Sequence, residues 1–428
     1  VTLAGLSLAY LRDRALNTAL NVLLLALGVA TMVILVLFSS QLEGRFARDA
    51  QGIDLVVGAK GSPLQLILSS IYHVDVPTGN VPLETVETLR RQPGVGKAIP
   101  LALGDSFRGF RIVGTEPAYA EHYGARVTQG RMFAASAEVV IGSEVAARTG
   151  AGLGQRFVGS HGLAGGDEAH RHEERPFIVA GILAPTGTVV DRLILTSVES
   201  VWDVHGIAHG DEGHATHGDH EAHPHGEHGH EAHGHEAPVA ASGETPAPEV
   251  TAVLVGYRSP IAAVRLPNFV NKQTNLQAAV PAVEITRLLS LVGIGLDAVR
   301  AFAALLMLTA GLSIFVALYT ALRAREADMA MLRVIGAKPA GIFGQILLEG
   351  LLLAAAGAAL GLALGHGVVA LAAASFDQLR EMGLDAWTFL PAEAAIVAAA
   401  LAIGALAALI PALRVFRVDI ADTLAHAR

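Results

Sequence analysis

The 428 residues contain no cysteine, which removes disulfides, thiolate metal sites and a cysteine nucleophile together. Charge is scarce as well. Only 16% of residues are Asp, Glu, Lys or Arg, below the roughly 25% of soluble domains, while 52% are hydrophobic and only 5% aromatic. With a mean hydropathy of +0.48, part of the chain is expected in lipid. Lysine is rarest: Lys60, Lys97, Lys272 and Lys338 are the whole set. None sits in the G-x-x-x-x-G-K-[ST] run that holds nucleotide phosphates, because Gly58-Ala59-Lys60-Gly61-Ser62 and Gly96-Lys97-Ala98 both fail that pattern. No G-x-S-x-G elbow is present to activate a serine. The net charge is −9 with no basic run, so nucleic acid is not expected as a partner.

What is present is concentrated. Eight carboxylates and no Lys or Arg lie between Asp203 and Glu236, so one segment sets the acidity. Four stretches lack Asp, Glu, Lys and Arg: Ala15 to Leu42, Ala301 to Leu322, Gly350 to Phe376 and Ala394 to Leu413. Each is about the 20 residues that cross a bilayer core as a helix. The last three are dense in Ala, Gly and Leu, and Gly357, Gly361 and Gly365 recur every four positions, a helix-packing face in lipid. His366 lies within the third span, where an ionisable group is a functional candidate; a neutral imidazole bonding a neighbouring helix is the expectation.

Arg12 and Arg14 precede the first span, Arg323, Arg325, Arg333 and Lys338 separate the second and third, and Arg414, Arg417 and Arg428 follow the fourth. The positive-inside rule makes these regions cytoplasmic, and the acidic 377–393 loop an outer one. The first span exceeds a signal-peptide core and has no nearby cleavage pattern, so it reads as an anchor.

Residues 43–296 form a polar insert. AEVVIG (Ala137 to Gly142), FIVAGIL (Phe177 to Leu183), RLILT (Arg192 to Thr196) and VTAVLVGY (Val250 to Tyr257) read as strands. Leu83 to Gln92, capped by Thr78 or Asn80, and Ser143 to Thr149 read as helices. The expected fold class is an α-helical membrane protein with four transmembrane helices and an α+β extracytoplasmic domain inserted between helices 1 and 2. Its divisions are a cytoplasmic N-terminus 1–14, helix 1 at 15–42, the α+β domain at 43–280 with a disordered His-rich loop 203–249, and a stalk helix 281–300. Helix 2 at 301–322, a coupling region 323–345, helix 3 at 346–376, an outer loop 377–393, helix 4 at 394–413 and a cytoplasmic C-terminus 414–428 complete them.

The blocks READMAMLRVIGAKPAGIFGQILLEGLLLAAAGAALGLALG (Arg325 to Gly365), IPALRVFRVDIADTL (Ile410 to Leu424), AEVVIGSEVAARTGAGLGQRF and FIVAGILAPTGTVVDRLIL resemble the FtsX-like permease family, and within it the MacB-type ABC transporter permeases. The resemblance spans nearly the whole chain and implies a MacB-like periplasmic core domain for the insert. It also implies the bacterial inner membrane, and a non-catalytic permease subunit whose ATP and Mg are held by two copies of a separate ABC ATPase. MacB itself carries an ATPase domain before its first span, where few residues stand here. A second permease copy, homodimeric or heterodimeric, membrane lipid, and a periplasmic protein or lipoprotein are further implied partners. The implied activity is mechanotransmission, in which ATP-driven closure at coupling helices moves periplasmic domains to export or release a substrate.

Arg325 to Ile335 places Met329, Leu332 and Ile335 on one side of a helix, before Gly336 breaks it and Pro339 opens the next. Such a helix lies on lipid or docks in a partner's groove. In the family this region contacts the ATPase, which assigns Arg325, Met329, Leu332, Arg333, Gly336 and Lys338 to the coupling surface.

The acidic segment also holds His205, His209, His214, His217, His220, His223, His225, His228, His230, His233 and His235. Imidazoles two and three residues apart among carboxylates suit Zn²⁺, Ni²⁺ or Cu²⁺, and His161, His170 and His172, in a loop, are further candidate ligands. A zinc-linked sensor, a buffer and a pH-responsive linker remain open, beside two rival readings of the whole chain: an FtsX-like regulatory scaffold acting on a periplasmic partner, and a divalent-metal importer. A lipoprotein-release role like that of LolC- or LolE-type permeases also remains open.

Overall fold

The computed structural model describes residues 3–161, 176–205, 247–325, 331, 333–376 and 384–417. It divides into a helical unit, Val1–Phe46 with Arg287–Arg428, and a sheet unit, Ala47–Thr286. The chain opens with α1 (Leu3–Asp13) and α2 (Ala15–Asp49), then β1 (Leu55–Ala59), α3 (Pro63–Ser70), β2 (Val81–Pro82) and α4 (Glu84–Arg90). Next come β3 (Val95–Phe107), β4 (Phe110–Thr115), α5 (Pro117–His122), β5 (Val127–Gly130), β6 (Glu138–Ile141), α6 (Ser143–Thr149), β7 (Arg156–Phe157) and β8 (Ser160–His161). After β9 (Phe177–Leu183), a 3-10 turn (Val189–Arg192) leads into β10 (Leu193–Thr196) and α7 (Val198–His205). The chain continues through β11 (Glu249–Val250), β12 (Ala252–Tyr257), α8 (Pro260–Gln273) and β13 (Leu276–Ala279). It ends in α9 (Pro281–Ala324), α10 (Pro339–Ser375) and α11 (Pro391–Arg414).

In the helical unit α2, α9, α10 and α11 are each long and apolar enough to cross a membrane. Residues 281–300 and 301–322 belong to one helix, α9, because no breaker interrupts them. The glycine stripe of α10 receives side chains of α2. A Cβ on Gly357 would lie 2.9 Å from Leu25, one on Gly361 2.6 Å from Val29, and one on Gly365 2.8 Å from Val33. On the other side of α10 a Cβ on Gly350 would meet Ala408 of α11 at 2.5 Å. Small residues thus let three backbones approach where lipid supplies no hydrophobic drive between helices. Polar contact adds to this: the Ser313 hydroxyl of α9 donates to Asn21 Oδ1 of α2 at 2.5 Å.

The sheet unit holds a mixed sheet in the order β13-β1-β12-β3-β4-β10-β6-β9-β5, with β7 on β9 and β8 on β3. Two core clusters divide it. One gathers Leu55, Val57, Val95, Val253 and Val255 with Trp202 and Leu266; the other gathers Phe110, Ile112, Val139, Ile141, Val179 and Ile194. The strand expected at 177–183 is β9, and that expected at 192–196 is β10 after the 3-10 turn takes Arg192. VTAVLVGY is interrupted at Thr251, whose hydroxyl accepts the Leu103 N–H at 2.9 Å.

Three expectations are corrected. Neither Thr78 nor Asn80 caps α4: its N-cap position is Leu83, with no side-chain cap bond, and the Thr78 hydroxyl instead donates to the Ala59 carbonyl at 3.1 Å. His161 is part of β8, paired with Asp105 of β3, so a strand replaces the loop expected there. The long β3 was not expected, because Pro100 and Gly104 interrupt its pattern.

Candidate functional site

The segment between α9 and α10 stands beside a small apolar cluster of Leu322, Ile342, Ile346, Ala412 and Val415. Phe343 and Phe416 pack 5.7 Å apart at its edge. Tyr319 is flanked by two guanidinium groups, Arg323 at 5.2 Å and Arg414 at 4.7 Å from its ring, and Arg414 also donates to its hydroxyl at 2.6 Å. Three helix ends are therefore fixed to one another before the connecting segment begins.

The expected coupling residues have different surroundings. Arg325 is only 17% exposed in its side chain and faces inward: its guanidinium stacks 3.5 Å from the Tyr10 ring of α1 and lies 3.9 Å from the Glu349 carboxylate of α10. Glu349 is buried and also accepts from Gln345 at 3.4 Å. Gly336 has φ +106, a conformation that an L side chain rarely adopts, and its N–H reaches the Arg333 carbonyl at 3.1 Å. Lys338 is exposed and occupies the N-cap position of α10, followed by Pro339 at N1, where a missing N–H costs nothing. Met329 and Leu332 lie outside the described residues.

Sequence reading placed Ile335 on an apolar face but missed Met331 and Val334 beside it, and missed a second group entirely. Met331 is 58% exposed, Val334 64% and Ile335 79%; at i, i+3 and i+4 they share one helical face, and the Ile335 N–H bonds the Met331 carbonyl at 3.1 Å. The spacing was legible, but a face counted from Met329 hid the one counted from Met331. Tyr10 and Glu349 are the second group, and the available signal was a lone carboxylate bordering the uncharged run that begins at Gly350. What the arrangement offers is a projecting apolar face joined, through Arg325, to a buried polar contact inside the bundle.

At the opposite ends of α10 and α11 lies a polar clasp. His366 Nδ1 donates to the Ala386 carbonyl at 2.5 Å, and its Nε2 stands 3.1 Å from the Glu393 carboxylate. Glu393 also accepts the Leu390 N–H at 3.0 Å, capping α11. Gln41 of α2 and Asp385 exchange two hydrogen bonds, at 2.8 and 2.7 Å. His366 thus joins a connecting loop and the next helix. Trp387 and Phe389 of this loop remain exposed, as aromatic residues do at a membrane–water interface.

Among the candidate metal ligands, His205 ends α7, while His209, His214, His217, His220, His223, His225, His228, His230, His233 and His235 lie outside the described residues, as do His170 and His172. Among the described residues no three His, Asp or Glu side chains are grouped to hold a metal ion. The chain enters and leaves the His-rich segment at neighbouring points, since the Trp202 indole of α7 donates to the Glu249 carbonyl at 2.7 Å.

The comparisons bear on both units. The FtsX-like permease C-terminal family matches residues 300–420, and the MacB-like periplasmic core domain matches residues 18–214. Among solved structures, the periplasmic region of MacB from Actinobacillus actinomycetemcomitans is similar at 12% identity, over 56% of this chain and 95% of that one, with a TM-score of 0.33. The extracellular domain of the noncanonic ABC-type transporter YknZ from Gram-positive bacteria is similar at 14% identity, over 52% of this chain and 98% of that one, with a TM-score of 0.29. No curated protein matches the chain.

Proposed function

We propose, because this chain belongs to the FtsX-like permease family of MacB-type ABC transporters, that it is the subunit that converts ATP hydrolysis on a separate ATPase into movement of its sheet unit. Its four apolar helices and periplasmic-type domain fit a multi-pass inner-membrane protein. In this reading the termini and the 325–338 segment are cytoplasmic and the sheet unit periplasmic, as the arginine distribution requires. Two permease copies and two ATPases form the working assembly, and a substrate is handled outside the membrane for export or release.

The observation that carries the reading is the exposed face of Met331, Val334 and Ile335, placed where the chain passes between two apolar helices. An apolar helical face of this kind docks into a partner's groove by its i, i+3 and i+4 anchors. Arg333, Gly336 and Lys338, with Met329 and Leu332, complete the proposed surface, while the inward-facing Arg325 stands behind it. Arg325 has the further role of passing movement of that segment to Tyr10 and Glu349.

Ile335→Asp tests this. A carboxylate in a desolvated groove is expected to lower co-purification of the ATPase at least about tenfold, since one unpaired buried charge costs more than 1.4 kcal/mol. Recovery of wild-type amounts of the ATPase, with coupled turnover intact, would overturn the reading.

The reading extends to the His-rich segment, as a metal input to the same machine. Zn²⁺ titration of the purified complex, intact and lacking 203–236, is expected to lose its high-affinity binding with the deletion. Metal-dependent ATP turnover lost together with it would link the transporter to zinc, and turnover indifferent to zinc in both forms would leave the segment a buffer or linker.

A further inference from the structure

Asp49 is the last residue of α2, lies in the sheet unit and is 1% exposed. Its carboxylate Oδ1 accepts the backbone N–H of Val189 at 2.8 Å, and its carbonyl accepts the Tyr123 hydroxyl at 2.8 Å. Val189 opens the 3-10 turn that leads into β10. Its N–H has no acceptor within that turn, so the buried carboxylate makes a charge-assisted bond to it. Burial, and after it the Asp49 charge, raise the pKa of Tyr72 and of Tyr123. The Tyr123 hydroxyl therefore stays protonated as a donor.

The receiving turn is rigid in its own right. Asp191 accepts the Thr186 N–H at 2.8 Å, the Thr186 hydroxyl at 2.9 Å and the Gly187 N–H at 2.7 Å. Gly142, which follows β6, fits so closely that a Cβ there would stand 2.3 Å from the Asp191 carbonyl oxygen, and its N–H bonds the Leu193 carbonyl at 2.9 Å. The APTGTVVDR stretch of the family-like block (Ala184 to Arg192) is thus a knot that joins α2 to the sheet.

The position of this knot gives it a consequence. The covalent chain leaves Asp49 and enters β1, in the half of the sheet whose core holds Leu55, Val57 and Val253. The knot feeds β10, in the half whose core holds Ile112, Val139 and Ile194. In the strand order, β12, β3 and β4 separate β1 from β10.

We infer that Asp49 is the positioning residue through which displacement of α2 reaches the β4-β10-β6-β9 half of the sheet, which the covalent link to β1 alone does not control. The inference rests on the mechanotransmission reading above, and its test keeps the two apart.

The absence of cysteine allows introduced labels without background. In the full chain with its ATPase in lipid nanodiscs, spin labels at Trp387→Cys and Gln273→Cys report the β1 half. Labels at Trp387→Cys and Arg156→Cys report the other half; all three positions are exposed. On trapping with ATP and vanadate, both distances are expected to shift in the otherwise wild-type chain. Asp49→Ala is expected to keep the shift of the Gln273 pair and lose that of the Arg156 pair. Asp49→Asn, which retains an acceptor oxygen, restores it.

Val189→Pro removes the donor while Asp49 stays, at an N1 position preceded by an extended Thr188 (φ −118, ψ 179) that tolerates a following proline. It is expected to reproduce the Asp49→Ala result. Retention of both shifts, or loss of both, in Asp49→Ala and Val189→Pro overturns the inference. Absence of any shift in the otherwise wild-type chain overturns the mechanotransmission reading itself, and the inference with it.

Discussion

In the helical unit backbones approach until glycine is what fits, as at Gly357, Gly361 and Gly365 against Leu25, Val29 and Val33. In the sheet unit backbones are held at strand spacing by their own ladders, and the space between is filled by side chains as large as Tyr119 and Phe177, both fully buried. The difference follows from the solvents the two units are built for. In lipid, apolar side chains gain little by leaving the surroundings, so close packing of small residues and a few polar contacts must hold helices together. In water, burial of large apolar groups carries the stability, and a fully hydrogen-bonded polar group can be buried among them. One unit is therefore sensitive to added volume along a whole helix face, and the other, outside close approaches such as that of Gly142, to changes in buried polarity and proton uptake.

The largest expected effect comes from adding volume to the glycine stripe. Gly361→Leu would place its Cβ 2.6 Å from Val29 and 2.8 Å from the Ala26 carbonyl oxygen, beyond what a packed interface absorbs at a cost of about 1–3 kcal/mol. The purified protein is expected to lose its monodisperse elution peak in detergent. Gly367→Leu, where a Cβ meets nothing within 4 Å, is the matched control and should elute as wild type. Equal behaviour of the two would end the contrast between the units.

A smaller effect is expected from proton uptake in the sheet unit. His73 is buried at φ +56, its Nε2 sits 3.1 Å from the Tyr119 hydroxyl, and burial, aided by Arg111 and Arg192, holds its pKa down at about 3. The unfolded chain, with a histidine near 6.5, binds the extra proton between these values. Stability is then complete above about pH 6.5 and falls as the pH drops toward 3, by up to about 1.4 kcal/mol per pH unit. His73→Asn, which tolerates the positive φ, should remove that part of the slope. Denaturant melts followed by Trp202 fluorescence, in a Trp387→Phe background that leaves it the sole tryptophan, measure it between pH 6 and 5. An unchanged slope would show that His73 does not stay neutral in the folded state.

The smallest effect is at the surface. Arg131 and two backbone N–H groups, those of Ala134 and Ala135, hold Glu138 down at about pKa 2, yet the Arg131 side chain is largely exposed. Arg131→Ala should therefore lower stability only slightly, because solvent screens an exposed ion pair. This contribution is present above the unfolded carboxylate range near 4.5 and is lost as pH falls toward 2. In thermal melts the difference between variant and wild type should be smaller at pH 3 than at pH 7.

The legible parts of the chain were those where one physical requirement dominates. Uncharged runs revealed α2, α9, α10 and α11 because a bilayer core tolerates few alternatives. The alternation in FIVAGIL revealed β9 because one register buries its apolar set. The break between α9 and α10 was located by Gly336 and Pro339, whose backbone demands are local. Less legible was β3, whose Pro100 and Gly104 break the strand pattern although β12 and β4 pair with it on either side. Nor did the sequence reveal that Arg325 turns inward to Tyr10 and Glu349, or that Met331 and Val334 project.

By itself the sequence determined the family, the four apolar helices and the place of the inserted domain, all of which depend on composition and on spacing within short windows. Tertiary structure alone decided which glycine meets which side chain, that Asp49 meets Val189 across 140 residues, and that His366 joins Ala386 and Glu393. Such pairings depend on how distant segments fold back on one another, and no local pattern carries that information.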